Sequence, residues 1–177
     1  TGALKGTPSN SDVGTTTGIV ISVTDNIATA SLDAFDIQVT NVNDAPTLVG
    51  TPATSVAQDA AYSFTPTAAD IDVNDTLTFT IQNQPSWGSF DTTIGTLTGT
   101  PSKSDVGTTT GIVIGVSDGE LSAALPAFDI AVTDVNAAPV AIDDAATLFE
   151  DELVTLQPLS NDIDADKDVL MLTSTSS

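Results

Sequence analysis

A chain that repeats itself at a fixed offset must fold as copies of one unit, and here the offset is 93 residues throughout, without a gap. Ser11 to Ile21 recurs unchanged as Ser104 to Ile114. Gly2-Ala3-Leu4-Lys5-Gly6-Thr7-Pro8-Ser9 matches Gly95-Thr96-Leu97-Thr98-Gly99-Thr100-Pro101-Ser102. Ala34-Phe35-Asp36-Ile37 recurs as Ala127-Phe128-Asp129-Ile130, Val42-Asn43 as Val135-Asn136, and Ala45-Pro46 as Ala138-Pro139. About two-thirds of positions 1–46 are identical to their counterparts. The period is the size of one small β-sandwich. Residues 44–136 are one complete copy, and 1–43 read as the C-terminal half of a preceding one. Residues 137–177 read as the N-terminal part of a third, divergent module, because the stretch from Gln58 to Phe64 has no close match after Pro139.

Within the complete copy, apolar residues alternate with small or polar ones. Tyr62 and Phe64 do so, as do Leu77, Phe79 and Ile81, then Ile112, Ile114 and Val116, then Phe128, Ile130 and Val132. A period of two puts one face of a strand in a core and the other in water. Gly and Pro punctuate the runs at Pro52, Pro66, Pro85, Gly95, Gly99, Pro101, Gly107 and Gly119. About seven short strands with turns every eight to twelve residues predict an all-β chain of tandem sandwich modules. No helical periodicity is evident.

Composition removes whole classes of function. The 24 acids face only three lysines, Lys5, Lys103 and Lys167, and the net charge is −21. Nothing here could neutralise a phosphate backbone, so nucleic acid is excluded as a partner, and an anionic membrane surface is disfavoured. With neither Cys nor His, disulfides, thiolate or imidazole metal sites, and Cys–His or Ser–His–Asp catalysis are excluded. No apolar run is long enough to span a membrane. A carboxylate pair could in principle cleave a glycosidic bond, but that needs a cleft at set spacing, which a module this small rarely builds. The expectation is that the chain is not an enzyme.

The acids gather at turns and module boundaries. Asp70-Ile71-Asp72-Val73-Asn74-Asp75 precedes a strand, Asn41-Val42-Asn43-Asp44 lies at one boundary and Asp134-Val135-Asn136 at the next. Asn161, Asp162, Asp164, Asp166 and Asp168 repeat the theme in the third module. Calcium takes six to eight oxygens from carboxylates, amides and carbonyls, and closely spaced Asp in a turn can aim several at one point. A solitary D-x-D is usually a solvated turn; recurrence at every boundary with no base nearby favours calcium. The spacing is neither the EF-hand loop nor a run of glycine-rich nonapeptides.

These features resemble bacterial cadherin-like repeats of the dystroglycan-type, or putative-Ig, kind, which fill very large secreted adhesins. The residues that carry the resemblance are Tyr62 to Pro66, Asp70-Ile71-Asp72, Leu77-Thr78-Phe79, Pro85-Ser86-Trp87, Phe90-Asp91, Gly95-Thr96-Leu97, Gly99-Thr100-Pro101, Val116 to Gly119 and Val135 to Pro139. Residues 137–177 resemble a sister cadherin-like module through Pro139, Asp143-Asp144, Glu150-Asp151 and the run from Asn161 to Asp168. The resemblance implies Ig-like, Greek-key sandwiches, with calcium stiffening the junctions between successive modules. It assigns Asn41, Asn43 and Asp44 to the first junction, with Asp70, Asp72 and Asp118 from the module after it and Asp12 from the module before. It assigns Asp134 and Asn136 to the second, with Asp105 and Asp59 from the module before and Asp162 and Asp164 from the third. The linkers are shorter than the usual cadherin linker, and Gln58 or Asp59 stands where cadherins often place a Glu.

The function this implies is that of a secreted or surface-attached extension module of an adhesin, whose partners are the neighbouring modules of its own chain. The alternative is recognition of a polysaccharide or of an identical module. An exposed Trp87 beside Phe90 would favour sugar stacking, and a Trp87 packed in the core would favour the spacer. Residues 1–43 and 137–177 are expected to expose strand edges, and head-to-tail pairing between molecules is one way to cover them.

Overall fold

The computed structural model describes residues 2–73 and 75–173. Its regular structure is almost wholly β, with two three-residue 3-10 turns at Asn10–Asp12 and Lys103–Asp105. Two compact units follow each other along the chain, Thr1–Val132 and Thr133–Ser177.

The first unit carries fourteen strands among its described residues. The four before residue 44 are β1 (Gly14–Ile19), β2 (Ser22–Thr24), β3 (Thr29–Ser31) and β4 (Phe35–Val39). Then come β5 (Thr47–Val49), β6 (Ser55–Ala57), β7 (Tyr62–Phe64), β8 (Thr67–Ala69) and β9 (Thr78–Gln82). The last five are β10 (Gly88–Phe90), β11 (Leu97–Gly99), β12 (Gly107–Ser117), β13 (Ser122–Ala124) and β14 (Phe128–Thr133). The pairings of β1 with β4, β2 with β3, β5 with β8, β10 and β7 with β11, and β9, β13 and β14 with β12 are antiparallel.

The complete copy is a sandwich. One layer runs β10-β11-β7; the other is built on β12 in the order β13-β12-β14-β6, with β9 also paired to β12. β12 is able to serve three partners because it changes neighbours at Gly111. It pairs with β14 from Gly107 to Ile112, then with β9 from Val113 to Ser117. The register shifts between Thr109 and Ile112, and Gly111 takes φ +67°, a left-handed conformation that glycine adopts without penalty. Its amide donates to Asp129 Oδ1 at 2.8 Å and its carbonyl accepts from Asn83 Nδ2 at 2.7 Å, so both backbone groups of Gly111 are bonded.

The alternation read from the sequence is the core. Tyr62, Leu97, Ile112 and Ile130 form its centre, and Phe79, Ile114, Val116, Leu125 and Val132 are buried as well. Each fully buried aliphatic side chain contributes roughly 1.5–3 kcal/mol relative to exposure. Trp87 packs against this cluster, edge-on to Tyr62 at 5.6 Å between ring centroids, and Phe64 meets Phe128 the same way at 6.3 Å. The Tyr62 hydroxyl is satisfied by the Ala53 carbonyl at 2.9 Å.

Two pairings decide where the acids go. β5 pairs with β8 in the register Thr47 to Ala69, so the chain entering β5 lies beside the chain leaving β8. β12 pairs with β9 in the register Ser117 to Thr78, so the chain leaving β12 lies beside the chain entering β9. Residues 43–44, 70–73, 75 and 118 are thereby delivered to one end of the sandwich.

The second unit has little regular structure among its described residues. An isolated antiparallel bridge joins Val140 to Ile163 through two backbone hydrogen bonds of 2.7 and 3.0 Å.

Candidate metal centre

At that end of the sandwich, Asp72 is 5% exposed and is the only buried charged residue among those described. Its Oδ2 accepts the Asp44 amide at 2.6 Å, which ties the linker to the D-x-D turn. Its Oδ1 is buried and has no hydrogen-bond partner, and the same holds for Oδ2 of Asp70. The other Asp70 oxygen accepts the Asp72 amide at 2.9 Å. Two carboxylate oxygens are thus withdrawn from water without compensation, which is costly for groups that carry negative charge.

The neighbouring acids add to this. Ligand oxygens of Asp70, Asp75 and Asp118 lie within 4.8 Å of one another. Oxygens that close could share one metal ion. The carboxyl of Asp75 is pushed above the ordinary Asp value by partial desolvation first, and then by the charges of Asp70, Asp72, Asp118 and Glu120. Asp118 is held below it, because the amides of Leu121 and Glu120 and the side chain of Asn43 all donate to its ionised form. Asn43 Nδ2 reaches Asp118 Oδ2 at 3.0 Å, and Asn10 Nδ2 reaches Asp44 Oδ2 at 2.7 Å. Five of the residues expected at the first junction, Asn43, Asp44, Asp70, Asp72 and Asp118, are therefore joined by hydrogen bonds or close oxygens.

Asp12 and Asn41 are not part of that group. Asp12 closes a capping box: its Oδ2 accepts from the Ser9 amide and hydroxyl, both at 2.8 Å, and this lowers its pKa. Asn10, two residues earlier, is the residue of that turn which touches the linker. Asn41 is exposed. Asp75 belongs to the cluster and was not among the residues assigned by resemblance; its place at the end of a run of acids from Asp70 was the available signal.

The residues expected at the second junction divide between the units. In the first unit, Asp105 repeats the capping box of Asp12 through Ser102, with contacts of 2.9 and 2.7 Å. Asp59 sits in a turn at φ 61°, and its amide donates to the Pro101 carbonyl at 2.7 Å. In the second unit, Asn136 donates to the Ala137 carbonyl at 3.1 Å, and Asp134 is exposed.

The second unit also repeats the linker clasp of the first. Asp164 Oδ1 accepts the Asp166 amide at 2.8 Å, as Asp70 does from Asp72, and Asp166 Oδ2 accepts the amide of Ala137, the counterpart of Asp44. The Val140–Ile163 bridge stands where Thr47–Ala69 stands in the complete copy. The D-x-D pair of this unit is accordingly Asp164–Asp166. Asp162 instead accepts the Ile142 amide at 2.8 Å, while Asp164, Asp166 and Asp168 bring oxygens within 4.8 Å of one another. Both acidic clusters could hold a metal ion, and the donor set, all oxygen and largely carboxylate, is that of a hard cation.

The two-layer β-sandwich, with acids collected at its linker end, is that of an Ig-like module. Residues 45–138 match the putative Ig domain family and residues 136–177 match the bacterial Ig domain family. The chain belongs to the putative Ig domain family. No curated protein matches it. Among solved structures, a putative alpha-galactosidase from Bacteroides fragilis is similar at 11% identity and TM-score 0.41, over 54% of this chain and 19% of that one. A putative alpha-galactosidase/melibiase from the same organism gives 13% and 0.38, over 50% and 17%. An endo-fucoidan hydrolase from glycoside hydrolase family 107 gives 25% and 0.39, over 73% and 20%. The matched chain spans a fifth or less of each of these proteins. No helix among the described residues is long and apolar enough to cross a membrane.

Proposed function

We propose that this chain is a calcium-binding extension module of a large bacterial cell-surface or secreted adhesin, in which calcium stiffens the connections between successive modules. The observation that carries the reading is Asp72, a buried carboxylate with one oxygen clasping the linker and the other unpartnered beside Asp70. A divalent cation there would compensate the buried charge. Because the same carboxylate holds the Asp44 amide, binding would fix the linker to the turn. Asp70, Asp72, Asp75 and Asp118 would supply carboxylate oxygens, and Asn43 and Asp44 would orient them. The partners are the adjoining modules of the same chain, and the role is mechanical rather than catalytic.

Extracellular sites of this kind bind calcium at about 10⁻⁴–10⁻³ M. Such a site would lie loaded outside a cell and empty in cytosol, so the array would stiffen only after export. The packing of Trp87 against Tyr62 supports the spacer over sugar recognition, because that ring is engaged with the core.

Isothermal titration of calcium into the chelator-treated chain tests the site. The expected result is binding in the stated range that falls at least tenfold in Asp72→Asn. Equal binding by the parent and by Asp72→Asn would remove the site from this cluster.

A further inference from the structure

The linker that opens the complete copy is held from two sides, through different atoms of one residue. The Asp44 amide donates to Asp72 Oδ2 at 2.6 Å, and Asp44 Oδ2 accepts from Asn10 Nδ2 at 2.7 Å. Asn43 beside it donates to Asp118 Oδ2 at 3.0 Å. Asn10 belongs to the preceding copy, 34 residues earlier in the chain. Hydrogen bonds therefore connect that copy's 3-10 turn, through Asp44, to the buried carboxylate of the acidic cluster.

The turn is built to hold Asn10 in place. The Ser9 amide and hydroxyl each donate to Asp12 Oδ2 at 2.8 Å, and the Asp12 amide returns to the Ser9 carbonyl at 2.9 Å. The Val13 amide donates to the Asn10 carbonyl at 3.3 Å. All of these partners lie within residues 9–13, so the turn is fixed locally. Asp12 uses its Oδ2 for the box, while Asn10 is half-buried with its carboxamide on the linker.

The later copy of this turn separates what the backbone does from what the side chains add. Ser102 and Asp105 close the same box, but Lys103 stands at the position of Asn10 and Ala137 at that of Asp44. The backbone clasp survives the exchange, because the Ala137 amide donates to Asp166 Oδ2 as the Asp44 amide does to Asp72. The side-chain bond cannot, since alanine carries no acceptor. The first linker has both.

We propose that Asn10 is a positioning residue that latches the preceding copy to the metal clasp, so that calcium bound at the acidic cluster also orders the turn from Ser9 to Val13. The coupling rests on the proposed calcium site at Asp70, Asp72, Asp75 and Asp118. A neutral amide donating to a carboxylate makes a stronger bond than two neutral groups do. The bond is exposed and water competes for both partners, so it adds little to folding itself. Its effect is on what moves together. When a loaded clasp fixes Asp44, Asn10 has a stationary partner; without the latch the clasp closes while the preceding turn keeps its freedom. Such coupling is reciprocal: the factor by which calcium tightens the latch is the factor by which the latch tightens calcium binding.

Amide exchange of the full chain, in calcium and in chelator, reads the coupling. In the parent, calcium is expected to slow the clasp amides of Asp44 and Asp72 and the turn amides of Asp12 and Val13 together, by about fivefold or more. In Asn10→Ala the slowing should be confined to Asp44 and Asp72, and calcium affinity should fall by about fivefold. Asp44→Ala, which gives the first linker the residue of the second and keeps the clasping amide, should uncouple the turn in the same way. Asn10→Gln, which keeps the carboxamide on a longer arm, should restore part of the coupling. Turn amides slowed by calcium to the same extent in the parent and in Asn10→Ala, or not slowed in a parent whose clasp amides are, would overturn the latch and leave the calcium site standing. A parent that binds no calcium in titration would overturn the site itself, and the coupling with it.

Discussion

At the scale of residues, carboxylates in this chain do two different jobs, distinguished by what donates to them. Asp12, Asp25 and Asp105 are saturated by local donors. The Ser9 and Ser102 boxes hold Asp12 and Asp105, and the amides of Ala28 and Ile27 hold Asp25, so all three titrate below the ordinary Asp value. A lowered folded pKa contributes stability that is present above the unfolded value and is lost as pH falls through the folded one. Asp105→Ala should therefore lower the melting temperature by a few degrees at neutral pH. Its difference from the parent should close as the pH drops below about 4, which thermal melts across pH will read. Asp70 and Asp72 instead keep buried oxygens without donors. For them, Asp72→Asn is expected to remove the calcium-dependent part of stability while leaving the chelator-treated melting temperature unchanged or raised, since a like-charge repulsion goes with it. A box of the form Ser-x-x-Asp is a local pattern and was open to reading at Ser9 and Ser102. The convergence of Asp75 with Asp118 is not local: it arises from the register of β9 on β12, which no spacing along the chain encodes.

At the scale of elements, the same strand serves twice with different energetic weight. Ile114→Ala should cost about 2–5 kcal/mol, the usual loss for a fully buried aliphatic. The identical change at Ile21, its exposed counterpart, should cost about 1 kcal/mol or less. Urea titration of the two variants against the parent measures both. Gly95 gives a sharper case. It takes φ +71°, and an added Cβ would run into the Phe79 ring, so Gly95→Ala combines backbone strain with a clash in the core. A loss of at least about 2 kcal/mol is expected in the same titration. The strands around Tyr62, Phe79, Ile112 and Ile130 were legible because alternation is a two-residue signal and the face it predicts is the face that is buried. The switch of β12 from β14 to β9 was not, because it depends on a bulge whose only sequence mark is one glycine inside a threonine-rich run. In the third module, Asp162 and Asp164 have the D-x-D spacing, yet the clasp falls on Asp164 and Asp166. The Val140–Ile163 bridge sets that register, and the sequence offers several acids at the same spacing.

At the scale of the whole molecule, a net charge of −21 with three lysines is a large self-repulsion for 177 residues. Much of it stands at turns and module ends, where cations could neutralise it, rather than along the strands. Calcium that binds the folded clasp and not the unfolded chain stabilises by mass action. At about 10 mM calcium and a Kd of 10⁻⁴–10⁻³ M, one site gives about 1.4–2.7 kcal/mol. Melting temperature is the direct reading of that quantity. The whole chain should therefore be melted in excess calcium and again in chelator, with magnesium at the same ionic strength as the control for screening. A rise of several degrees with calcium and not with magnesium, lost in Asp72→Asn, is the predicted result. Equal melting temperatures in calcium and chelator would contradict a calcium-stiffened module and leave the acidic clusters as solvated turns.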